Sequence, residues 1–174
     1  MKLKKFFFKK VKSTNNTAMR LIRSGIKNGI ISSEIQTKGK GQRGNNWISK
    51  KGNLFLTIFF QVDKNLSLKK ITNINLHIIK KIIKNLVKAK IYIKLPNDIL
   101  INKKKVCGIL QEIVFRNNLK YLIVGIGINL INSPEFKNYP TTYINKYSKK
   151  KINKIKLINK IKFFFENKYK GKNK

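Results

Sequence analysis

The stretch 104–130 reads KKVCGILQEIVFRNNLKYLIVGIGINL, and it decides the fold. Two apolar runs, Val106–Phe115 and Tyr121–Leu130, are rich in β-branched and aromatic residues and have the length of strands. Asn117-Asn118 lies between them and reads as a hairpin loop. Working upstream, Ile91–Lys94 and Ile99–Asn102 are two more short strands, with Lys103-Lys104 at the turn into the hairpin. Leu54–Val62 is a nearly continuous apolar run, as a buried strand requires. Ile30–Gln36 reads as a strand and Phe6–Val11 as an opening one.

Three segments are helical instead. Ser13-Thr14-Asn15 suits a helix start, Ala18, Leu21, Ile22 and Ile26 follow at helical spacing, and Gly25 and Gly29 end the segment. Over Leu66–Ala89, the apolar residues Ile71, Ile74, Ile78, Ile79, Ile82, Ile83 and Leu86 form one face with lysines between. A final amphipathic helix starts at Ile152, runs through Phe165 and reaches about 168. Hairpins with helices set apart predict an α+β fold, a mixed and largely antiparallel sheet flanked by helices. One domain over 1–174 is expected, with its core over about 6–145.

Lys+Arg total 41 against 6 Asp+Glu, a net charge of +35. Only Arg20, Arg23, Arg43 and Arg116 are arginines; the rest are lysines spread along the whole chain. Lys, Asn and Ile share A/T-rich codons, so genome composition accounts for the charge, while a polyanionic partner is the alternative. A nucleic-acid reader would place Arg at base-contact positions and gather its charge on one face. Cys107 is the single cysteine, which excludes an internal disulfide and fits a reducing cytoplasm. The apolar run in the basic N-terminus, Phe6-Phe7-Phe8, is too short for a signal peptide, and no stretch has the length of a membrane span. A soluble cytoplasmic protein is expected.

Gly39-Lys40-Gly41-Gln42-Arg43-Gly44 matches G-x-G-x-x-G, with Asp63 about 20 residues on. The dinucleotide reading needs a helix opening at the third glycine, and Asn45–Asn53 is turn-rich and runs straight into a strand. No Walker-type phosphate loop is present. The loop still offers backbone N–H groups and the charges of Lys40 and Arg43 to an anion.

Four motifs in order resemble the biotin–protein ligase family. Gln36–Trp47 is similar to its G-R-G-R-x-G-R-x-W loop, and Lys94-Leu95-Pro96-Asn97-Asp98 to its K-W-P-N-D segment. Lys105–Glu112 matches K-x-x-G-I-L-x-E, and Gly125–Asn129 is the family's G-I-G-I-N. Ser13-Thr14-Asn15 matches the S-T-N that opens the catalytic domain, so the resemblance covers about residues 6–145. It implies the biotin/lipoate ligase catalytic fold, which is similar to class II aminoacyl-tRNA synthetases. It further implies an enzyme that activates biotin with ATP and Mg²⁺ as biotinyl-5′-adenylate. The biotinyl group then passes to a lysine of a biotin carboxyl carrier protein.

Residue by residue, the resemblance makes Gly39, Lys40, Gly41, Gln42 and Arg43 a lid over biotin and the adenylate. Lys105 becomes the cation near the reacting carboxylate and α-phosphate, and Arg43 a second cation toward the nucleotide. Ser13, Thr14, Asn15 and Gln36 would surround the biotin ureido ring, and Trp47 would be an aromatic wall. Gly108 and Gly125 would bring strand backbone against the ligand. Asn97 and Asn129 match nucleotide-contacting positions, and Asp98 would hold Mg²⁺ or take the attacking lysine's proton. His77 and Cys107 read as structural.

The chain departs from the pattern at Lys40, Gln42 and Asn45, where loop arginines are usual, and at Leu95, which replaces the motif tryptophan. No DNA-binding helix-turn-helix precedes residue 6, so no repressor role is expected. The residues after Asn129 leave room for the final helix but not for the small β-barrel of many relatives. Monomer and homodimer both stay open. A lipoate–protein ligase of the same fold is the nearest rival, and a basic nucleic-acid-binding protein is the rival from another class.

Overall fold

The hairpin over 104–130 lies inside the sheet, and the rest of the chain adds to either side of it. The computed structural model describes residues 1–137 and 139–170. Its elements in chain order are β1 (Lys4–Val11), α1 (Thr14–Arg23), β2 (Asn28–Gln36), β3 (Leu54–Val62), α2 (Leu68–Lys84), β4 (Ile91–Lys94), β5 (Asp98–Ile101), β6 (Lys104–Arg116), β7 (Leu119–Ile128) and α3 (Lys154–Lys168). The strands form one sheet in the order β1-β2-β3-β7-β6-β5-β4. Only β1 and β2 run parallel, because α1 carries the chain back between them; every other neighbour is antiparallel. This is the α+β arrangement expected.

Side chains alternate across a strand, so each face of the sheet is set by every second residue. On one face Leu54, Leu56, Ile58 and Phe60 of β3 and Leu122, Val124, Ile126 and Ile128 of β7 are buried against α2 and α3. On the other face α1 covers Phe59 of β3 and Tyr121 and Ile123 of β7 with Ala18 and Ile22. Beyond Ile123 that second row continues as Gly125 and Gly127. Large residues therefore lie under α1, and the row ends in residues without side chains.

The turns follow from their residues. Asn117 and Asn118 take positive φ angles of 47° and 59°, which asparagine tolerates in a two-residue hairpin turn. The turn before β6 centres on Asn102 and Lys103, one residue earlier than expected, at φ 47° and 65°. At the end of α1 the N–H groups of Gly25 and Ile26 cap the carbonyls of Ile22 and Leu21. Gly25, at φ 97°, permits that reversal. Gly29 is not part of it: it lies in β2, where a methyl group would meet the rings of Phe6 and Phe59 at 2.8 Å.

Two helices differ in extent from their patterns. α2 starts only at Leu68, with Ser67 accepting from the Lys70 N–H, and stops at Lys84, while Val87 stays buried as irregular chain. α3 starts two residues later than expected, behind the Asn153 cap. Its end is tied to α2 by the Tyr169 hydroxyl, which donates to Asn75 Oδ1 at 2.7 Å. Burial pushes the carboxyl of Glu166 up, but hydrogen bonds from Lys162 and the Leu3 N–H outweigh it and hold the carboxyl below its usual range. Among the described residues no helix is long and apolar enough to cross a membrane.

Phe165 is fully buried beneath Tyr169, with ring centroids 6.0 Å apart. Phe165→Ala should lower unfolding stability by about 3–5 kcal/mol, seen as a lower urea midpoint at unchanged slope.

Candidate active site

The glycine end of the second face is the floor of a cavity of about 820 Å³. Its walls come from the start of α1, the end of β2, the loop after it, the β4–β5 turn and the segment after β7. Of the residues expected at a site, all line it except Gly39: Ser13, Thr14, Asn15, Gln36, Lys40, Gln42, Arg43, Trp47, Asn97, Asp98, Lys105, Gly108, Gly125 and Asn129. Gly39 is buried just behind. A methyl there would lie 2.5 Å from the Trp47 carbonyl, so its lack of a side chain serves the loop's own packing.

The glycine loop is a small closed hairpin. The Trp47 N–H donates to the Gly39 carbonyl at 2.9 Å, the Gly41 N–H to Asn45 at 2.7 Å, and Lys40 bridges Asn46. Arg43 sits exposed at the tip with φ 54°, followed by Gly44 at 78°. No helix opens at Gly44, which removes the geometry a dinucleotide pyrophosphate needs.

Trp47 lies on the paired glycines Gly108 and Gly127 of β6 and β7. A methyl on either would collide with the indole. Gly108, expected to present backbone to a ligand, lines the cavity with the indole lying on it. Gly125 lines it too, with Asn15 on its face, whose Oδ1 would collide with an added methyl. Both glycines are therefore required first by side chains of the chain itself.

Charge gathers at one end. Lys105 Nζ lies 2.9 Å from Asp98 Oδ1, an ion pair rather than an aligned hydrogen bond. The same ammonium is 5.5 Å from the Trp47 ring centroid and 5.6 Å from that of Tyr139, which stacks on Phe136. The Lys105 backbone is tied to the chain after β7 by its N–H donating to Pro140 and its carbonyl accepting from Thr142. Asn129 is buried, with Nδ2 donating to the Thr142 carbonyl and Oδ1 lacking a protein partner among the described residues. The lining holds five cations, Lys40, Arg43, Lys94, Lys103 and Lys105, and one carboxylate, Asp98. Burial pushes the Cys107 thiol far above its usual range, which leaves it inert, as expected.

The opposite end is neutral and polar. The Thr14 N–H donates to Gln36 Oε1 at 2.8 Å, and Gln36 Nε2 donates to Ser49 at 3.1 Å. Ser13 occupies the cap position of α1 but makes no side-chain cap, a difference from its expected role; its carbonyl accepts from the Thr17 hydroxyl. Sequence reasoning missed Thr57, Gly127, Phe136 and Tyr139. Thr57 and Gly127 carried a signal: a hydroxyl inside the apolar run LFLTIFF, and a glycine two residues after Gly125. Phe136 and Tyr139 lie in irregular chain with no periodicity to read.

A second groove, of about 620 Å³, runs between the end of α2 and the start of α3. It is lined by seven lysines and no acid, and none of its residues was expected at a site.

Residues 7–129 match the model of the biotin/lipoate A/B protein ligase family. The chain belongs to that family. It is similar to the bifunctional ligase/repressor BirA of Bacillus subtilis, at 30% identity over 168 residues covering 90% of this chain and 51% of the relative. The chain thus spans about half the length of that relative. Its fold superposes on the Aquifex aeolicus biotin protein ligase in complex with biotin and ATP at a TM-score of 0.81, with 26% identity over 98% of this chain and 72% of that one. The Leishmania major biotin protein ligase in complex with biotinyl-5-AMP gives 0.77 and 27%, covering 91% and 71%. These likenesses agree with a catalytic domain of the biotin–protein ligase type.

Gly127→Ala should push the indole off the sheet. Because Trp47 is the sole tryptophan, a red shift of its emission reports the change, and an unshifted spectrum would mean the indole is not held there.

Proposed function

We propose that this chain joins biotin to a lysine of a biotin carboxyl carrier protein, using ATP in two steps. In the first, a carboxylate oxygen of biotin attacks the α-phosphorus of ATP, the bond to the β-phosphate bridge breaks, and pyrophosphate leaves with biotinyl-5′-adenylate formed. In the second, the carrier's deprotonated lysine attacks the acyl carbon and AMP leaves. The observation that carries this reading is the cavity's lining: five cations with one carboxylate, Asp98, paired to Lys105, and apart from that pair the neutral Thr14–Gln36 group.

Phosphoryl transfer depends chiefly on positioning and on positive charge where negative charge gathers. Lys105 suits that task. It is held by backbone on both sides, its ammonium lies between two aromatic faces, and its ion-pair partner can be exchanged for a phosphate oxygen. Lys40 and Arg43, on the hairpin over the cavity, are the cations for the outer phosphates. Asn129 Oδ1 and Trp47 Nε1, both buried and without protein partners among the described residues, are an acceptor and a donor for the nucleotide. Thr14 and Gln36 meet the ureido ring with neutral polar groups, as an uncharged ring requires.

Magnesium fits as the companion of ATP: Asp98, the one carboxylate of the lining, would share the ion with the phosphates, whose charge it screens. Among the described residues no group of three or more His, Cys, Asp or Glu could hold it without them. When the carrier lysine arrives, Asp98 is also the carboxylate placed to take its proton.

The test is incubation with ATP, Mg²⁺, labelled biotin and a biotin carboxyl carrier domain, with a working ligase alongside. Label on the carrier is expected; none would overturn the reading. Lys105→Ala should slow adenylate formation by about 10²–10³-fold in pyrophosphate exchange, the usual effect of losing an electrostatic donor. Near-normal exchange would displace Lys105 from its role.

A further inference from the structure

Behind the neutral end of the cavity a polar chain crosses the sheet. Its members are Ser49, Gln36, Thr14, Thr57, Asn15 and Glu112. Thr57 is fully buried, and Thr14 and Asn15 are nearly so. Glu112 closes the chain from β6. In a protein with 41 cations and 6 acids, its carboxylate has no ion-pair partner among the described residues and instead contacts an amide.

The direction of the first two hydrogen bonds follows from that carboxylate. An ionised carboxylate only accepts, so its 2.6 Å contact must come from Asn15 Nδ2. Asn15 Oδ1 is thereby turned to Thr57, 2.7 Å away, and the Thr57 hydroxyl must donate to it. A hydroxyl carries one hydrogen. Thr14 then has one hydroxyl hydrogen for two contacts, at 2.8 Å to Thr57 and at 2.9 Å to Gln36 Oε1. The chain of contacts is one hydrogen short, and the shortfall falls at Thr14, which lines the cavity.

We propose that Glu112 is a positioning residue that sets the hydrogen-bond polarity of the site. Through Asn15 it commits the Thr57 hydrogen and leaves Thr14 Oγ1 as an acceptor, so this end of the cavity selects a ligand that brings an N–H. A ureido ring brings one; a dithiolane ring of the lipoate kind does not. The proposal rests on the biotin reading above and names what in this chain discriminates between the two ring chemistries. Glu112 touches no ligand in this scheme. It acts by holding the Asn15 amide in one of its two orientations, which a neutral partner would leave free.

The test exchanges donor for acceptor along the chain, with biotin affinity read from Trp47 fluorescence. Asn15→Asp sets two carboxylates against each other and should weaken biotin binding by about tenfold or more, the scale of a lost charge-assisted hydrogen bond. Adding Glu112→Gln should restore affinity to within about threefold. In that double variant the introduced glutamine amide can donate to the introduced carboxylate, while Thr57 still donates to the carboxylate's other oxygen. Glu112→Gln alone frees the Asn15 amide to flip and should weaken biotin binding while leaving ATP affinity unchanged. A double variant no better than Asn15→Asp, or Glu112→Gln binding biotin like the unaltered chain, would overturn the proposal. A second readout needs no ligand: in the ¹⁵N-labelled protein one Asn15 side-chain amide proton should be shifted downfield and slow to exchange, and Glu112→Ala should abolish this. If the unaltered chain fails to bind biotin, the function reading falls, and the amide signal still decides whether Glu112 orients Asn15. Absence of that protected proton in the unaltered chain overturns the proposal.

Discussion

Everything in this molecule hangs on the alternation of side chains along β7. Its even-numbered residues, Leu122, Val124, Ile126 and Ile128, bury themselves against α2 and α3. Its odd-numbered residues run Tyr121, Ile123, Gly125, Gly127. The first two support α1, and the last two leave a hollow where a helix would otherwise lie. One strand thus supplies both the main core and the floor of the cavity, and a one-residue slip of register would exchange the two. The antiparallel neighbours β3 and β6 hold that register, and the Gly108–Gly127 pair widens the hollow enough to seat an indole.

The hollow is filled partly from within. Asn15 takes the space over Gly125 and Trp47 that over Gly108 and Gly127, so two of the side chains a ligand would meet are themselves set by missing β-carbons. The cavity then divides by chemistry. Lys105 and Asp98 arrive together because β5 and β6 form a tight hairpin, and the chain after β7 pins the Lys105 backbone. The neutral end is built from three separate elements, α1, β2 and β3, whose polar groups hold one another in place before any ligand arrives. In the proposed reaction the Lys105–Asp98 pair would meet the phosphates and the neutral group the ureido ring.

The excess of lysine plays a small part in this architecture. Most lysines are solvated, and the seven that line the groove between α2 and α3 stand beside no catalytic group. The acids are more informative because they are few. Asp98 pairs with Lys105, Glu166 joins α3 to the start of β1, and Glu112 orients an amide. In a chain so poor in carboxylates, their placement points to where structure and chemistry depend on an acceptor.

The seven strands and three helices were legible in the sequence because strand and helix periods are local properties. Asn117-Asn118, Gly25 and the uninterrupted run Leu54–Val62 each announce their element within a few residues. The motif residues of the cavity were legible too, since ordered motifs survive as local strings. Element ends were less so: Leu66 and Ala89 extend the apolar pattern of α2, yet the Ser67 cap starts the helix after the first and the chain leaves it before the second. What only the tertiary structure decided is which groups face one another. Gly125 lines the cavity, and the side chain that requires its lack of one is Asn15, brought over it by the packing of α1. Tyr139 reaches Lys105 from irregular chain, and Glu112 governs Thr14 through two intermediates on different elements. Such contacts join residues far apart in the chain, and their directions depend on hydrogen-bond geometry that no linear pattern carries. The sequence by itself determined the periods, the turns and the motif strings; the folded chain decided their polarity.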